Sequence, residues 1–150
     1  MATIRLTSVS DLKQLALLFD AYRQFYEQSP DLALAIKFIN ARLNNADSVI
    51  LVAENEKQQL IGFCQIYPSF CSVAAAKIGV LYDLYVNESA RKTGAGRALM
   101  LAVHEYAGNN NMVRLDLTTA KDNLKAQALY ESLGWLRDGV FYSYSKEILA

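Results

Sequence analysis

The sequence predicts an α/β (α+β) fold, three αβα layers built on a mixed, largely antiparallel sheet of six or seven strands, and three observations predict it. Apolar residues change repeatedly between a helical spacing and strand alternation, in the order strand, two helices, three strands, helix, strand, helix, terminal hairpin. Three antiparallel strands followed by strand, helix, strand, helix place helices on both faces of one mixed sheet. No linker, internal repeat or low-complexity tract interrupts the chain, so 1–150 reads as a single domain that buries roughly two-thirds of its unfolded surface.

Thr3–Leu6 alternates as a first strand, and Ser8 or Ser10 caps a helix that Asp11 starts with favourable charge. Leu12, Leu15, Phe19, Tyr22 and Tyr26 carry that helix to about Glu27. Ser29-Pro30-Asp31 restarts a helix with a cap, a proline at its first position and an acid in its first turn, and Asn44-Asn45 ends it. Ser48–Ala53 and Leu60–Tyr67 form a hairpin around the polar turn Asn55–Gln58, and Pro68 stops the second strand by removing a donor. A loop from Phe70 to Ala76 leads to the next strand, Val80–Val86. The helix from Gly96 ends at Gly108, Val113–Thr118 alternates as a strand, and Asp122 or Asn123 begins a last helix that stops at Gly134. Trp135–Arg137 and Phe141–Ile148 close the chain as a hairpin turned by Asp138-Gly139.

The segment Val80–Leu101, VLYDLYVNESARKTGAGRALML, carries the most chemistry. A strand that delivers the chain to a glycine-bearing helix start makes an anion site, because the first helical N–H groups lack intrahelical partners and the macrodipole favours negative charge. Gly94 and Gly96 let a ligand approach the backbone, and Arg91 offers a fork that phosphate accepts bidentately. A bound pyrophosphate is the natural ligand. The P-loop pattern is absent, since Lys92-Thr93 precedes both glycines, and the dinucleotide pattern fails because Ala98 and Leu99 stand where a third glycine belongs.

Arg91-x-x-Gly94-x-Gly96 after a strand resembles the acyl-coenzyme A signature of the GNAT superfamily of N-acetyltransferases. The helix Asn123–Trp135 is similar to the superfamily's second cofactor motif, N-x-x-A-x-x-L-Y-E-x-x-G-[FW], at every defined position. Tyr67–Val73, Tyr82–Val86 and Leu133–Ser145 extend the likeness over nearly the whole chain, toward the branch that includes histone and polyamine acetyltransferases. The resemblance implies a sheet splayed at its centre, here between Val80–Val86 and Val113–Thr118. It also implies acetyl-coenzyme A as cosubstrate, held by Leu84, Tyr85 and Val86, by Arg91, Lys92, Thr93, Gly94, Ala95, Gly96 and Arg97, and by Thr119, Asn123, Ala126 and Tyr130. A homodimer through the terminal strands is implied on the same ground. Without the resemblance, Ala126, Leu129, Tyr130 and Leu133 would read first as the core stripe of an amphipathic helix.

The chemistry follows from the amine and the thioester. An alkyl ammonium with a pKa of about 10.4 exposes its lone pair in roughly one molecule in 2,500 at neutral pH, a cost near 4.6 kcal/mol, so a proton acceptor or a water-lined exit is needed. Asp83 is the carboxylate within the Val80–Val86 strand and the candidate base; it reads equally as a buried acceptor for backbone N–H groups. In several relatives the acid stands one position earlier, at Tyr82 here, and alternation puts residues 82 and 84 opposite 83 unless a bulge intervenes. Tyr130 is the candidate donor to the departing sulfur: a phenol near pKa 10 and a thiol near 8.5 make full proton transfer uphill by roughly 2 kcal/mol, so hydrogen bonding dominates. A backbone N–H near Leu84–Val86 is the candidate donor to the acyl oxygen.

Charge and composition remove other classes. With 15 acidic and 15 basic residues the chain has no electrostatic footprint for nucleic acid. No run is long and apolar enough to span a bilayer, and the start lacks a signal core, so a cytoplasmic protein without a membrane partner is expected. Cys64 and Cys71 read as free thiols. No Cys/His/Asp/Glu set has metal-ligand spacing, and His104 lies off its helix's apolar stripe. Asp20, Glu27 and Asp31 beside the aromatic end of the first helix favour a small cationic amine or a lysine side chain as acceptor. The competing function is a non-catalytic acyl-coenzyme A sensor or scaffold.

Overall fold

The computed structural model describes residues 1–149. Its backbone contacts gather into two compact units, Met1–Thr118 and Thr119–Ala150, each with its own internal architecture.

The first unit is built on one sheet of five strands in sequential order, not six or seven. β1 (Thr3–Leu6), β2 (Val49–Glu54), β3 (Leu60–Cys71) and β4 (Ala76–Val86) pair antiparallel, and β5 (Leu115–Asp116) lies parallel to β4. Alternation assigns the two faces. Ile50, Val52 and Phe63 join Leu15 and Phe19 of α1 (Leu12–Phe25) and Ala35 and Ile39 of α2 (Leu32–Asn45) in one core. On the other face α3 (Ala95–Asn109) buries Leu99, Met100 and Val103, and a Cβ at Gly62 would stand 3.4 Å from the Leu99 side chain.

Local chemistry explains where these elements begin. The Asp11 carboxylate accepts the Ser8 N–H at 2.7 Å and is gripped by both ends of the Arg5 guanidinium, at 2.8 and 2.9 Å, which holds its pKa down to about 2. A turn of 3-10 helix, Val9–Asp11, therefore precedes α1, which ends at Phe25 because Glu27 turns left-handed (φ 64°). Pro30 is not the first residue of α2. Asp31 is its N-cap, accepting the Leu34 N–H at 3.0 Å, and Pro30 stands outside.

Three strand expectations change. Pro68 does not stop β3, which pairs with β4 from Gly62↔Val86 to Cys71↔Ala76. β2 pairing ends at Ile66, so at Pro68 the strand has a neighbour on one side alone, where proline is admitted. The expected loop Phe70–Ala76 accordingly shortens to the four-residue turn 72–75, in which Ala75 is left-handed (φ 53°), and Phe70, Cys71 and Ala76 belong to the strands. The strand expected over Val113–Thr118 shrinks to Leu115–Asp116, because only Gly79 and Val80 of β4 pair with it. Past Val80 no residue of β4 pairs with β5.

The second unit holds α4 (Leu124–Ser132), capped by Asn123, whose Oδ1 accepts the Ala126 N–H at 3.3 Å. Gly134 ends it in the left-handed region (φ 88°). The terminal hairpin is not formed: among the described residues, 135–149 contain no strand. Asp138 takes the Val140 and Phe141 N–H groups onto its carboxylate at 3.1 and 3.2 Å, donors that a ladder there would need.

Candidate active site

Asp83 is drawn inside by a bulge. β3 partners step from Gln65↔Asp83 to Ile66↔Leu81, so Tyr82 is the extra residue on β4. Tyr82 is left 67% exposed while Asp83, opposite Gln65, is 4% exposed. The bulge thus gives the two positions different surroundings, a tyrosine in solvent at 82 and a buried carboxylate at 83.

Asp83 is held by neutral donors. Gln65, fully buried, gives its Nε2–H to Asp83 Oδ2 at 2.6 Å, and Ser48 gives its hydroxyl to Gln65 Oε1 at 2.7 Å. From α1, the Tyr22 hydroxyl donates to the bulge carbonyl of Tyr82 at 3.4 Å and stabilises the Asp83 carboxylate. Burial outweighs both donors and pushes the Asp83 pKa up. No salt bridge to Asp83 exists among the described residues, so it is a carboxylate without a counter-ion. Such a group is poised to take a proton. Burial also raises the neighbouring Tyr22 and brings Tyr67 up to about 12, so both phenols remain protonated donors.

Aromatic rings surround this carboxylate. Tyr22 meets Tyr26 at 5.1 Å and Tyr85 at 6.1 Å between centroids, and Tyr67 meets Tyr82 at 5.6 Å. Tyr82, Phe25 (55% exposed) and Tyr26 (48% exposed) face solvent, as a binding mouth requires. The acids expected there are differently employed. Asp20 is buried, accepting Asp31 N–H at 3.0 Å and Gln24 Nε2 at 3.2 Å, and Asp31 caps α2. Of the three, Glu27 alone carries no such structural bond among the described residues.

The far end of β4 leads into the glycine turn. Leu84, Tyr85 and Val86 are half-buried and pair with β3 only. Arg91 donates Nε to the Val86 carbonyl at 3.1 Å and lies over the Tyr85 and Phe25 rings at 5.6 and 5.7 Å. Among the described residues its Nη atoms make no hydrogen bond, so the fork remains for a ligand. Lys92 and Gly94 are both left-handed, at φ 64° and 87°, and Thr93 spends its hydroxyl on Ala90 O at 2.6 Å. No side chain therefore caps α3, whose first intrahelical bond is Ala98 N–H to Gly94 C=O at 3.0 Å. The amides of Ala95, Gly96 and Arg97 come before it and have no intrahelical carbonyl. An ideal Cβ at Gly94 would meet nothing within 4 Å, so the turn is open on that side.

In the first unit, then, the structure gathers Asp83, Leu84–Val86 and the Arg91–Arg97 turn along one strand and the helix start after it. Thr119, Asn123, Ala126 and Tyr130 belong to the second unit. There Asn123 is an N-cap, and Tyr130 is half-buried with its ring 6.2 Å from that of Trp135. No residue of α4 is buried, so its apolar stripe is not a core stripe within this unit. Gln65 and Ser48 escaped the sequence reading. The available signal was a lone amide inside the apolar run Leu60–Tyr67, which a buried strand tolerates only when something satisfies it. Among the described residues no group of three or more His, Cys, Asp or Glu could hold a metal.

The model of the acetyltransferase (GNAT) family matches residues 14–135. An uncharacterized N-acetyltransferase, YhfO of Bacillus subtilis, is 45% identical over 147 residues, covering 98% of each chain. A probable acetyltransferase of Haemophilus influenzae is 28% identical over 96 residues, 64% of this chain and 66% of that one. The crystal structure of a probable acetyltransferase superposes with a TM-score of 0.92 at 35% identity, covering 99% of both chains. A buried, counter-ion-free carboxylate beside an uncapped glycine-bearing helix start is thus set in a chain that belongs to the GNAT family of acetyltransferases and is an N-acetyltransferase.

Proposed function

We propose that this protein moves an acetyl group from acetyl-coenzyme A to the primary amine of a small cationic molecule or of a lysine side chain, and that 1–150 acts as one catalytic domain. The observation that carries the reading is Asp83, a buried carboxylate with no cation of its own, ringed by aromatic side chains. An arriving ammonium supplies the missing positive charge, and ring faces favour cations over neutral guests. The family match crosses from the first unit into the second, which supports the single-domain reading.

The residues suit coenzyme A. The uncapped amides of Ala95, Gly96 and Arg97, the open side of Gly94 and the Arg91 fork offer donors and positive charge to a pyrophosphate. Lys92 and Thr93 complete the turn, Asn123 and Ala126 are assigned to the same ligand by their match to the family motif, and Thr119 by the family resemblance alone. When bound, acetyl-coenzyme A supplies the thioester carbonyl that the amine attacks. Asp83 takes the proton: one amine N–H bond breaks and one carboxyl O–H bond forms, leaving the nitrogen lone pair free. A backbone N–H of Leu84, Tyr85 or Val86 on the unpaired stretch donates to the acyl oxygen, and the Tyr130 hydroxyl hydrogen-bonds the departing sulfur.

The free thiols Cys64 and Cys71 fit a reducing cytoplasm, and among the described residues no helix is long and apolar enough to cross a membrane. Pairing of terminal segments between two copies remains part of the proposal. Thiol release from acetyl-coenzyme A, screened against polyamines, basic amino acids, aminoglycosides, aryl amines and lysine peptides, tests the reading. Turnover concentrated on cationic amines is expected. A preference for aryl amines refutes the acceptor class, and a rise in melting temperature with coenzyme A but no turnover supports a sensor instead.

A further inference from the structure

We propose that Gln65 is a positioning residue for Asp83 and that Ser48 sets which end of the Gln65 amide faces it. The three form a chain with one direction of donation: Ser48 Oγ–H to Gln65 Oε1 at 2.7 Å, then Gln65 Nε2–H to Asp83 Oδ2 at 2.6 Å. An amide presents a donor at one end and an acceptor at the other, so its orientation decides whether Asp83 meets an N–H or a second oxygen. Ser48 removes the ambiguity by occupying Oε1 with a hydroxyl donor. Gln65 fixes Oδ2, and so the direction in which the rest of the carboxylate faces an arriving amine. The inference rests on the reading of Asp83 as the base.

The rest of the surroundings cannot substitute for this chain. The titratable groups that face Asp83 are Tyr22 and Tyr26 from α1 and Cys64 and Tyr67 from β3. They are phenols and a thiol, and none brings positive charge. Gln65, with no exposed surface, is the one side chain that hydrogen-bonds the Asp83 carboxylate within 3.0 Å among the described residues. Ser48 is only half-buried at the outer end of the chain, so its replacement disturbs little packing.

The test is the acid limb of the kcat/KM against pH profile, with the acetyl acceptor found in the amine screen, together with the carboxyl titration of Asp83 followed by NMR on carbon-labelled protein. Gln65→Leu removes the donor and should move the limb and the NMR midpoint up by about one to two pH units, with kcat reduced and acceptor KM little changed. Ser48→Ala should move both in the same direction by less, and Ser48→Thr, which keeps the hydroxyl, should restore them. Asp83→Asn separates the two layers of the argument. If Asp83→Asn keeps the acid limb, Asp83 is not the base and the proposed mechanism falls. If Asp83→Asn loses the limb while Ser48→Ala and Gln65→Leu leave limb and midpoint where they are in the native protein, the positioning role is wrong. Should Gln65→Leu fail to fold, the Ser48 pair decides the question alone.

Discussion

The two sides of β4 are built to opposite ends. Toward β3 the ladder runs unbroken but for one bulge, from Gly62↔Val86 to Cys71↔Ala76; toward β5 it lasts for Gly79 and Val80 and then stops. The closed side fixes the Asp83 carboxylate through Gln65, because a residue opposite a paired strand has a predictable neighbour. The open side leaves peptide groups of Leu84–Val86 without a second strand, and backbone groups without partners are what a ligand can use. One strand thus combines a rigid acid with an unfinished edge, and each property depends on the other side of the strand being different.

The comparison is broken most severely at its closed side. Asp83→Asn should reduce kcat by about 10²–10⁴. It should also stabilise the fold near neutral pH. A carboxyl whose folded pKa is raised binds more protons folded than unfolded, so its favourable contribution is complete below the ordinary carboxyl pKa and is lost as pH rises through the folded value. The native protein should therefore lose stability across that window relative to Asp83→Asn, measured as melting temperature against pH; an Asn variant less stable at pH 7 would mean that Asp83 is structural.

The open side is sharpened at the helix start. Arg91→Ala and Gly94→Asp should each weaken coenzyme A binding by about 10- to 100-fold in calorimetry, the first by removing a charge-assisted bond, the second by setting an anion against the phosphate. Unchanged affinity in both would remove the pyrophosphate from this turn. The smallest change is at the point of divergence. A Cβ on Gly79 would lie 2.9 Å from side-chain atoms of Ile66, Met112 and Leu115, so Gly79→Ala should cost about 1–3 kcal/mol in denaturant unfolding. A neutral result would show that β5 moves away freely.

Much of this was legible in the sequence for reasons that can be stated. The Arg91–Gly96 turn is short-range chemistry: glycine at φ 87° and a helix start without a capping side chain are local events that neighbours in sequence dictate. Asn123 as a cap is local in the same way. The bulge at Tyr82 was not legible, because it depends on the register of β3 against β4, residues separated by a hairpin whose length was itself misjudged. Asp20 illustrates the converse. Its position in the second half of α1 suggested a solvated charge, while its partner, the Asp31 N–H, comes from the N-cap of the next helix and could not be read from helical spacing. The terminal strands expected from alternation need a partner that alternation does not name.

The two thiols differ as sharply as the two edges of β4. Burial lifts Cys64 to about 12, which leaves roughly one thiolate in 10⁵ at pH 7. Cys71, at the distal end of β3, is held below the usual thiol range by backbone N–H groups at Ala74 and Val73 and by Arg114, whose Nη1 lies 3.8 Å from its sulfur. A maleimide or iodoacetamide reagent will therefore find one address on the folded chain. That address lies about 20 Å along the hairpin from the Gln65–Asp83 pair at strand rise, so a fluorophore or a surface tether can be installed there without engineering a cysteine and without touching Asp83.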